Sequence, residues 1–117
     1  MTEKELIQRT KDFALRVIKL VNALPNTSAG RTLGGQLIRS GTSIAANYRA
    51  ACRGRSKAEF IAKLEIVEEE ADESALWMEL IIESDLMEEK LVVDLLKEAR
   101  EITAIMAASK MTARSRK

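Results

Sequence analysis

Residues 56–84 read SKAEFIAKLEIVEEEADESALWMELIIES, and this stretch decides the fold class. Its apolar side chains recur every three or four residues, which is the period of an α-helix with one buried face. The stripe consists of Phe60, Leu64, Val67, Ala71, Ala75, Met78 and Ile82. Ser56 and Glu59 form the pattern of a capping box, in which a hydroxyl and a carboxylate pair with free backbone N–H groups at a helix start. The sequence therefore predicts a long helix over about residues 57–84.

Three further segments carry the same periodicity and predict helices over about residues 2–24, 28–54 and 86–110. Pro25 ends the first, and Thr27 or Ser28 caps the second. Asp85 followed by Glu88 resembles a capping pattern that opens the last helix, whose stripe places Leu91 in the core. Long helices with short connections pack as an antiparallel up-down-up-down four-helix bundle, an all-α fold. We expect the basic residues 111–117 to form a disordered tail.

The composition indicates one domain of a cytoplasmic protein. The 117 residues are 46% apolar and 32% charged, and charges interrupt every apolar run well before the length of a membrane span. Cys52 is the single cysteine, so no internal disulfide can form. The first ten residues carry charges where a signal peptide needs an apolar core. No membrane association is predicted.

The residue types favour a protein without a catalytic site. Histidine is absent from the sequence, which excludes imidazole-based triads and the histidine ligands of bundle-type di-iron sites. A cation is conceivable at the carboxylates of the third helix, but a solvated or salt-bridged face is the simpler interpretation. These carboxylates are Glu65, Glu69, Asp72, Glu79 and Glu83. Cys52 is interpreted as buried filler. We therefore predict a non-enzymatic protein with no cofactor and no metal.

The charges are strongly segregated along the sequence. Residues 13–58 hold eight basic side chains and no acid, whereas residues 59–90 hold twelve acids and two lysines. The second helix and the turn after it carry most of a basic ridge: Arg31, Arg39, Arg49, Arg53, Arg55 and Lys57. Three uses compete for this ridge: salt bridges to the acids of the third helix, contacts to nucleic-acid phosphates, and contacts to a partner protein.

Two other surfaces of the predicted helices suggest close contacts. Poor helix formers in the second helix make a polar stripe, which we interpret as a structural network to another helix or subunit. The stripe consists of Gln36, Ser40, Ser43 and Asn47. The third helix carries apolar residues off its main stripe, at Ile66, Leu76, Trp77 and Leu80. A homo-oligomer would cover them. With four aromatic residues in the chain, any nucleic-acid binding would depend on phosphates rather than on base stacking.

Several short motifs resemble those of one protein family over about residues 5–107. They are residues 13–20, the run Gln36-Leu37-Ile38-Arg39-Ser40 leading to Ser43-Ile44 and Asn47, Ser56 with Glu59-Phe60, and Glu70-Ala71-Asp72-Glu73-Ser74 leading to Trp77. On these motifs the chain resembles the four-helix-bundle family of 23S rRNA intervening-sequence proteins, which is related to the accessory variability determinant proteins of diversity-generating retroelements.

The resemblance implies an assembly and a class of partner. It implies a homopentameric barrel of bundles with a central channel, and no catalysis. It further implies contact with RNA or DNA, or with a nucleic-acid enzyme such as a reverse transcriptase, through basic surfaces. The alternative is a protein-interaction adaptor whose basic residues serve intersubunit or partner contacts.

Overall fold

The computed structural model describes residues 1–116, which form four α-helices and no strand. The helices are α1 (Glu3–Asn22), α2 (Ser28–Cys52), α3 (Lys57–Glu83) and α4 (Glu89–Ser115). They form the expected all-α antiparallel bundle, about 50 Å long and 19 Å across. Within residues 1–116, no helix is both long and apolar enough to cross a bilayer.

Side-chain caps fix three of the helix starts. Thr2 and Glu5 form a complete capping box on α1, and the hydroxyl of Thr27 accepts a hydrogen bond from the N–H of Gly30 at 3.0 Å. Ser56 caps α3 as predicted, accepting from the N–H of Glu59 at 3.1 Å. These bonds pair backbone donors that have no partner inside the helix.

The predicted start of α4 at Asp85 is wrong. Asp85 has a left-handed backbone (φ 61°), and the N–H of Leu86 donates to the carbonyl of Ile81 at 3.1 Å. Together with the bond from the Asp85 N–H to the Ile82 carbonyl, at 3.0 Å, this is the Schellman ending of α3. Asp85 therefore closes α3, and α4 begins at Glu89 without a side-chain cap.

The expected disordered tail is also wrong for most of its length. Helix α4 continues to Ser115, with Ala113 buried against the bundle. Arg114 forms a salt bridge to Glu65 on α3 at 2.6 Å. These contacts hold the last turns of α4 in place, and Lys117 lies outside the described residues.

The core lies between the inner faces of all four helices, where fully buried side chains include Phe13, Ile44, Met78 and Ile102. Small residues of α2 let its neighbours approach closely. A Cβ on Gly41 would lie 2.9 Å from both methyl groups of Val17 on α1. Helix α1 packs mainly against α2 and only lightly against α4, so the α1/α4 seam is the loosest in the bundle.

Candidate nucleic-acid interface

The predicted basic ridge does not form one surface. Arg39 pairs with acids of α3, and Arg31 lies at the other end of α2 from Arg49 and Arg53. The guanidinium of Arg39 bridges from α2 to α3, at 2.9 Å from the carboxylate of Glu70 and in close contact with that of Glu73. Arg31 lies near the start of α2 and donates to the side-chain oxygen of Asn26 at 3.0 Å. Arg39 therefore joins two helices, and Arg31 sits at the opposite end of the bundle from the other arginines.

Arg49, Arg53 and Arg55 are the members of the ridge that face solvent without an acidic partner. All three are exposed, and none forms a salt bridge within residues 1–116. Arg49 and Arg53 are one helical turn apart on α2, so their side chains share a face. Arg55 lies in the turn that follows. An exposed guanidinium without a carboxylate partner can take a phosphate in a bidentate contact.

Lys57, at the start of α3, binds the C-terminal end of α4. Its ammonium group donates to the backbone carbonyl of Arg116 and lies 3.5 Å from that of Arg114. Since a helix leaves its last carbonyls unpaired, this lysine caps α4. The exposed Arg116 therefore lies at the same end of the bundle as the arginines that end α2.

We call this surface the basic end; it consists of Arg49, Arg53, Arg55, Lys57 and Arg116. It is formed where α2 and α4 end and α3 begins. Positive side chains also stabilise the C-terminal ends of helices through the helix dipole. That role explains Arg49, which lies in the last turn of α2. Arg55 lies outside the helices, so the dipole does not account for it.

Three acids of α3 pair with α4, whereas Glu69, Asp72 and Glu83 form no salt bridge within residues 1–116. Glu79 bonds Arg100 at 2.9 Å and Glu68 bonds Lys110 at 2.8 Å, in addition to the Glu65–Arg114 pair. The salt-bridged interpretation of the α3 acids therefore describes the α3/α4 side. Among the described residues there is no cluster of three or more ligating side chains that could hold a metal ion.

Cys52 and Tyr48 lie side by side near the end of α2. Burial raises the pKa of the Cys52 thiol, and burial together with the thiol as hydrogen-bond partner raises the pKa of the Tyr48 hydroxyl. A thiol with a raised pKa holds little of the nucleophilic thiolate at neutral pH. The geometry gives this pair no chemical role beyond packing.

The predicted polar stripe of α2 divides into three local arrangements. The hydroxyls of Ser40 and Ser74 are 2.7 Å apart in the core and join α2 to α3. Asn47 donates to the hydroxyl of Ser43, one turn away, at 2.8 Å. The Gln36 carbonyl oxygen accepts a long contact of 3.4 Å from Arg39. Of these four residues, Ser40 alone forms a side-chain bond to another described helix.

One cluster was missed by sequence reasoning. Arg9 on α1 donates two hydrogen bonds of 2.7 Å to Glu98 on α4, and a third of 2.6 Å to Glu101. Its hydrogen bonds to Glu98 lower the pKa of that carboxyl. The partners are separated by 89 residues, and no local pattern reports such a pairing. We call this cluster the Arg9 clamp.

Comparison with known proteins places the chain in a family. The family model described as 23S rRNA-intervening sequence protein matches residues 2–108. The chain belongs to this family. This finding confirms the resemblance drawn from the sequence motifs.

A solved structure is similar to this chain in both sequence and fold. It is a protein of unknown function from the S23 ribosomal protein family of Bacteroides thetaiotaomicron, with 31% sequence identity. The match has a TM-score of 0.87 and covers 95% of this chain and 99% of that one. No curated protein matches the sequence.

Proposed function

We propose that the protein is a non-enzymatic, self-assembling helical bundle that binds RNA phosphates through its basic end. The observation that carries the proposal is the set Arg49, Arg53 and Arg55, which are exposed and have no acidic partner in residues 1–116. An unpaired charge on the surface costs little free energy, because water solvates it. It attracts a ligand of opposite charge. The family name, which refers to ribosomal RNA, supports RNA as that ligand.

The binding mode follows from the residue types. Guanidinium groups contact phosphates without reading bases, so binding should be strong at low salt and weakly dependent on sequence. Within residues 1–116 the exposed large apolar side chains are leucine, isoleucine and methionine, so base stacking on aromatic rings should contribute little. Several copies in one assembly would add their contacts and raise the affinity. A pentamer is the state that the family resemblance implies.

The experiment is fluorescence anisotropy with a labelled mixed-sequence single-stranded RNA at low salt. We expect the double variant Arg49→Glu, Arg53→Glu to bind at least about tenfold more weakly, since it removes two charge-assisted contacts and adds repulsion. The matched control is Lys11→Glu, Lys97→Glu, which changes the net charge equally at exposed positions outside the basic end. Equal losses of affinity in the two variants would show that binding depends on net charge alone. That result would overturn the assignment of RNA binding to the basic end.

The adaptor alternative keeps the same arginines but gives them a protein partner, such as an enzyme that acts on nucleic acid. It predicts a wild-type protein that does not change the anisotropy of RNA or DNA at any salt concentration. That outcome would overturn RNA binding, and the arginines would then be assigned to acidic side chains of a partner protein.

A further inference from the structure

Helices α1 and α4 separate beyond the Arg9 clamp and leave an apolar groove. The groove has a volume of about 450 Å³. Its apolar lining comes from Leu20 on α1 and Ala23 just after it, and from Leu91 and Leu95 on α4 and Met87 just before it. Leu91, predicted to be in the core, is 62% exposed. The predicted inward position is therefore wrong: Leu91 lines the groove beside α1 and stays open to solvent. This apolar surface is therefore left open by the packing of the bundle itself.

The rim of the groove is basic. Arg16 and Lys19 line it from α1 and Lys90 lines it from α4, against a single acid, Asp94. Lys90 is paired only to the exposed Glu88, at 3.3 Å, within the described residues. An apolar groove with three cations at its edge fits a helix that presents leucines flanked by carboxylates.

The outward face of α3 has that composition. Ile66, Leu76 and Leu80 on α3 are 37%, 44% and 39% exposed. The exposed Glu69 lies three residues after Ile66, and the exposed Glu83 lies three residues after Leu80. Neither acid forms a salt bridge within residues 1–116. Residues at such spacings share one side of a helix. We call this surface, formed by Ile66, Glu69, Leu76, Leu80 and Glu83, the acidic leucine face.

We propose that the acidic leucine face of one copy docks into the α1/α4 groove of the next copy. This inference rests on the self-assembly proposed above and names the surfaces that would produce it. Leucine side chains of α3 fill the space beside Leu91, while Glu69 and Glu83 approach the cations of the rim. Burial of apolar area supplies the stabilisation, and the charges fix which surface meets which.

A pairing of like surfaces is disfavoured by charge. Two grooves face to face would bring the cations of both rims together, and two α3 faces would bring together unpaired carboxylates. The contact is therefore heterologous, with a different surface used on each partner. Helices α3 and α1 lie diagonally opposite in the bundle, with no close approach of their backbones, so the two surfaces lie on different sides and one copy can use both at once. Such contacts close into a ring or continue as a chain, and a simple dimer leaves one of each surface unused.

The test uses two variants that each destroy one surface at exposed positions. The groove variant is Lys19→Glu, Leu91→Glu, and the face variant is Leu76→Gln, Leu80→Gln, so that the two altered surfaces do not attract each other. Light-scattering mass should show three or more chains for the wild type and single chains for each variant. An equimolar mixture should form complexes of two chains, because it contains one intact groove and one intact face. The control Leu15→Lys changes an α1 leucine that is 56% exposed and lies outside the groove, and it should keep the wild-type mass.

The outcomes distinguish the proposed contact from self-assembly itself. If the wild type assembles and either variant keeps its mass, the interface lies elsewhere and the inference is wrong while self-assembly stands. If both variants are single chains and the mixture stays single, the contact is not heterologous and the inference also fails. A wild type that is a single chain overturns self-assembly, whereas RNA binding is judged separately by anisotropy. Circular dichroism melting confirms that each variant is folded, so that loss of mass reports the interface.

Discussion

Two glycines in α2 look alike in the sequence and have opposite roles in the structure. Gly41 is buried where α1 crosses α2, and a Cβ there would lie 2.9 Å from both methyl groups of Val17 and 3.1 Å from its Cβ. Because Val17 is β-branched and fully buried, rotation of its side chain cannot relieve the clash. Gly35 is exposed, and a Cβ there would meet nothing within 4 Å. Gly41 permits a close helix contact, whereas Gly35 only weakens the helix.

Alanine at these two positions should therefore move stability in opposite directions. We expect Gly41→Ala to lower the free energy of unfolding by about 1 kcal/mol, the strain of overpacking less the gain in helix propensity. Gly35→Ala should raise it by about 0.5–1 kcal/mol, because it has the propensity gain without the clash. Urea denaturation followed by circular dichroism measures both. A stabilised Gly41→Ala would show that α1 can move away from α2 at little cost.

The role of Ser56 depends on its own helix and was predicted from the sequence, whereas the pairing of the α2 arginines depends on another helix and was not. Ser56 caps α3 as its local pattern indicates. The sequence does not distinguish Arg39, which pairs with two acids of α3, from Arg49 and Arg53, which have no acidic partner within residues 1–116, because the pairing depends on how α2 packs against α3. The division of the arginines into paired and free members, which defines the basic end, is thus a tertiary property.

At the scale of the helices, the bundle has three tight seams and one that depends on the Arg9 clamp. The α1/α2 and α2/α3 seams are closed by small residues, and the α3/α4 seam is lined by salt bridges. Between α1 and α4 the clamp lies between two open stretches, one of about 450 Å³ and one of about 390 Å³ near the basic end. Helix α1 is therefore the element held least firmly to the rest.

The periodicity of each helix was sufficient to predict four antiparallel helices, because the apolar stripe is a local property of the chain. It misplaced the start of α4, because a left-handed Asp85 extends the ending of α3. It also placed Leu91 in the core, since periodicity gives the direction of a side chain but not whether a neighbouring helix reaches it. The loose packing of α1 against α4, and the groove that results from it, could be recognised only in the structure.

The Arg9 clamp should make stability depend on pH. The pKa of Glu98 is lowered in the folded chain by its hydrogen bonds to Arg9. The clamp therefore contributes fully above the pKa of an unfolded glutamate, about 4.3, and its contribution is lost as the pH falls through the lower folded value. We expect Arg9→Met to reduce the free energy of unfolding by about 1 kcal/mol at pH 7 and by much less at pH 3.

Urea denaturation at the two pH values measures this effect, and hydrogen exchange should show faster opening of α1 in the Arg9 variant at pH 7. The matched control is Arg100→Met, which removes an exposed pair with Glu79 between two helices that are otherwise tightly packed. It should leave exchange in α1 unchanged. An Arg9 effect of equal size at both pH values would mean that packing of the arginine stem, rather than its charge, holds the seam.

At the scale of the whole molecule, charge is separated along the long axis. The basic end collects Arg49, Arg53, Arg55 and Arg116, while the turn between α3 and α4 at the far end carries Glu83, Asp85, Glu88 and Glu89. The far end is mixed, because Arg31 and the groove cations Lys19 and Lys90 also lie there, so a polyanion is attracted most strongly to the basic end. The acidic leucine face and the groove lie along the sides. Assembly through the sides would leave the basic ends of several copies free to act on one RNA.

This separation predicts how salt should act on RNA binding. Each phosphate contact to single-stranded RNA contributes about 0.7 to the slope of log affinity against log salt concentration. Arg49→Ala, Arg53→Ala should lower the slope by about 1.4 for each copy that contacts the RNA, because two contacts are lost. Lys11→Ala, Lys97→Ala removes the same charge from exposed positions on the sides of the bundle and should leave the slope unchanged. Anisotropy titrations at four salt concentrations give both slopes. A slope that falls equally in the two variants would place the RNA along the sides, in competition with the groove, and would make assembly and RNA binding mutually exclusive.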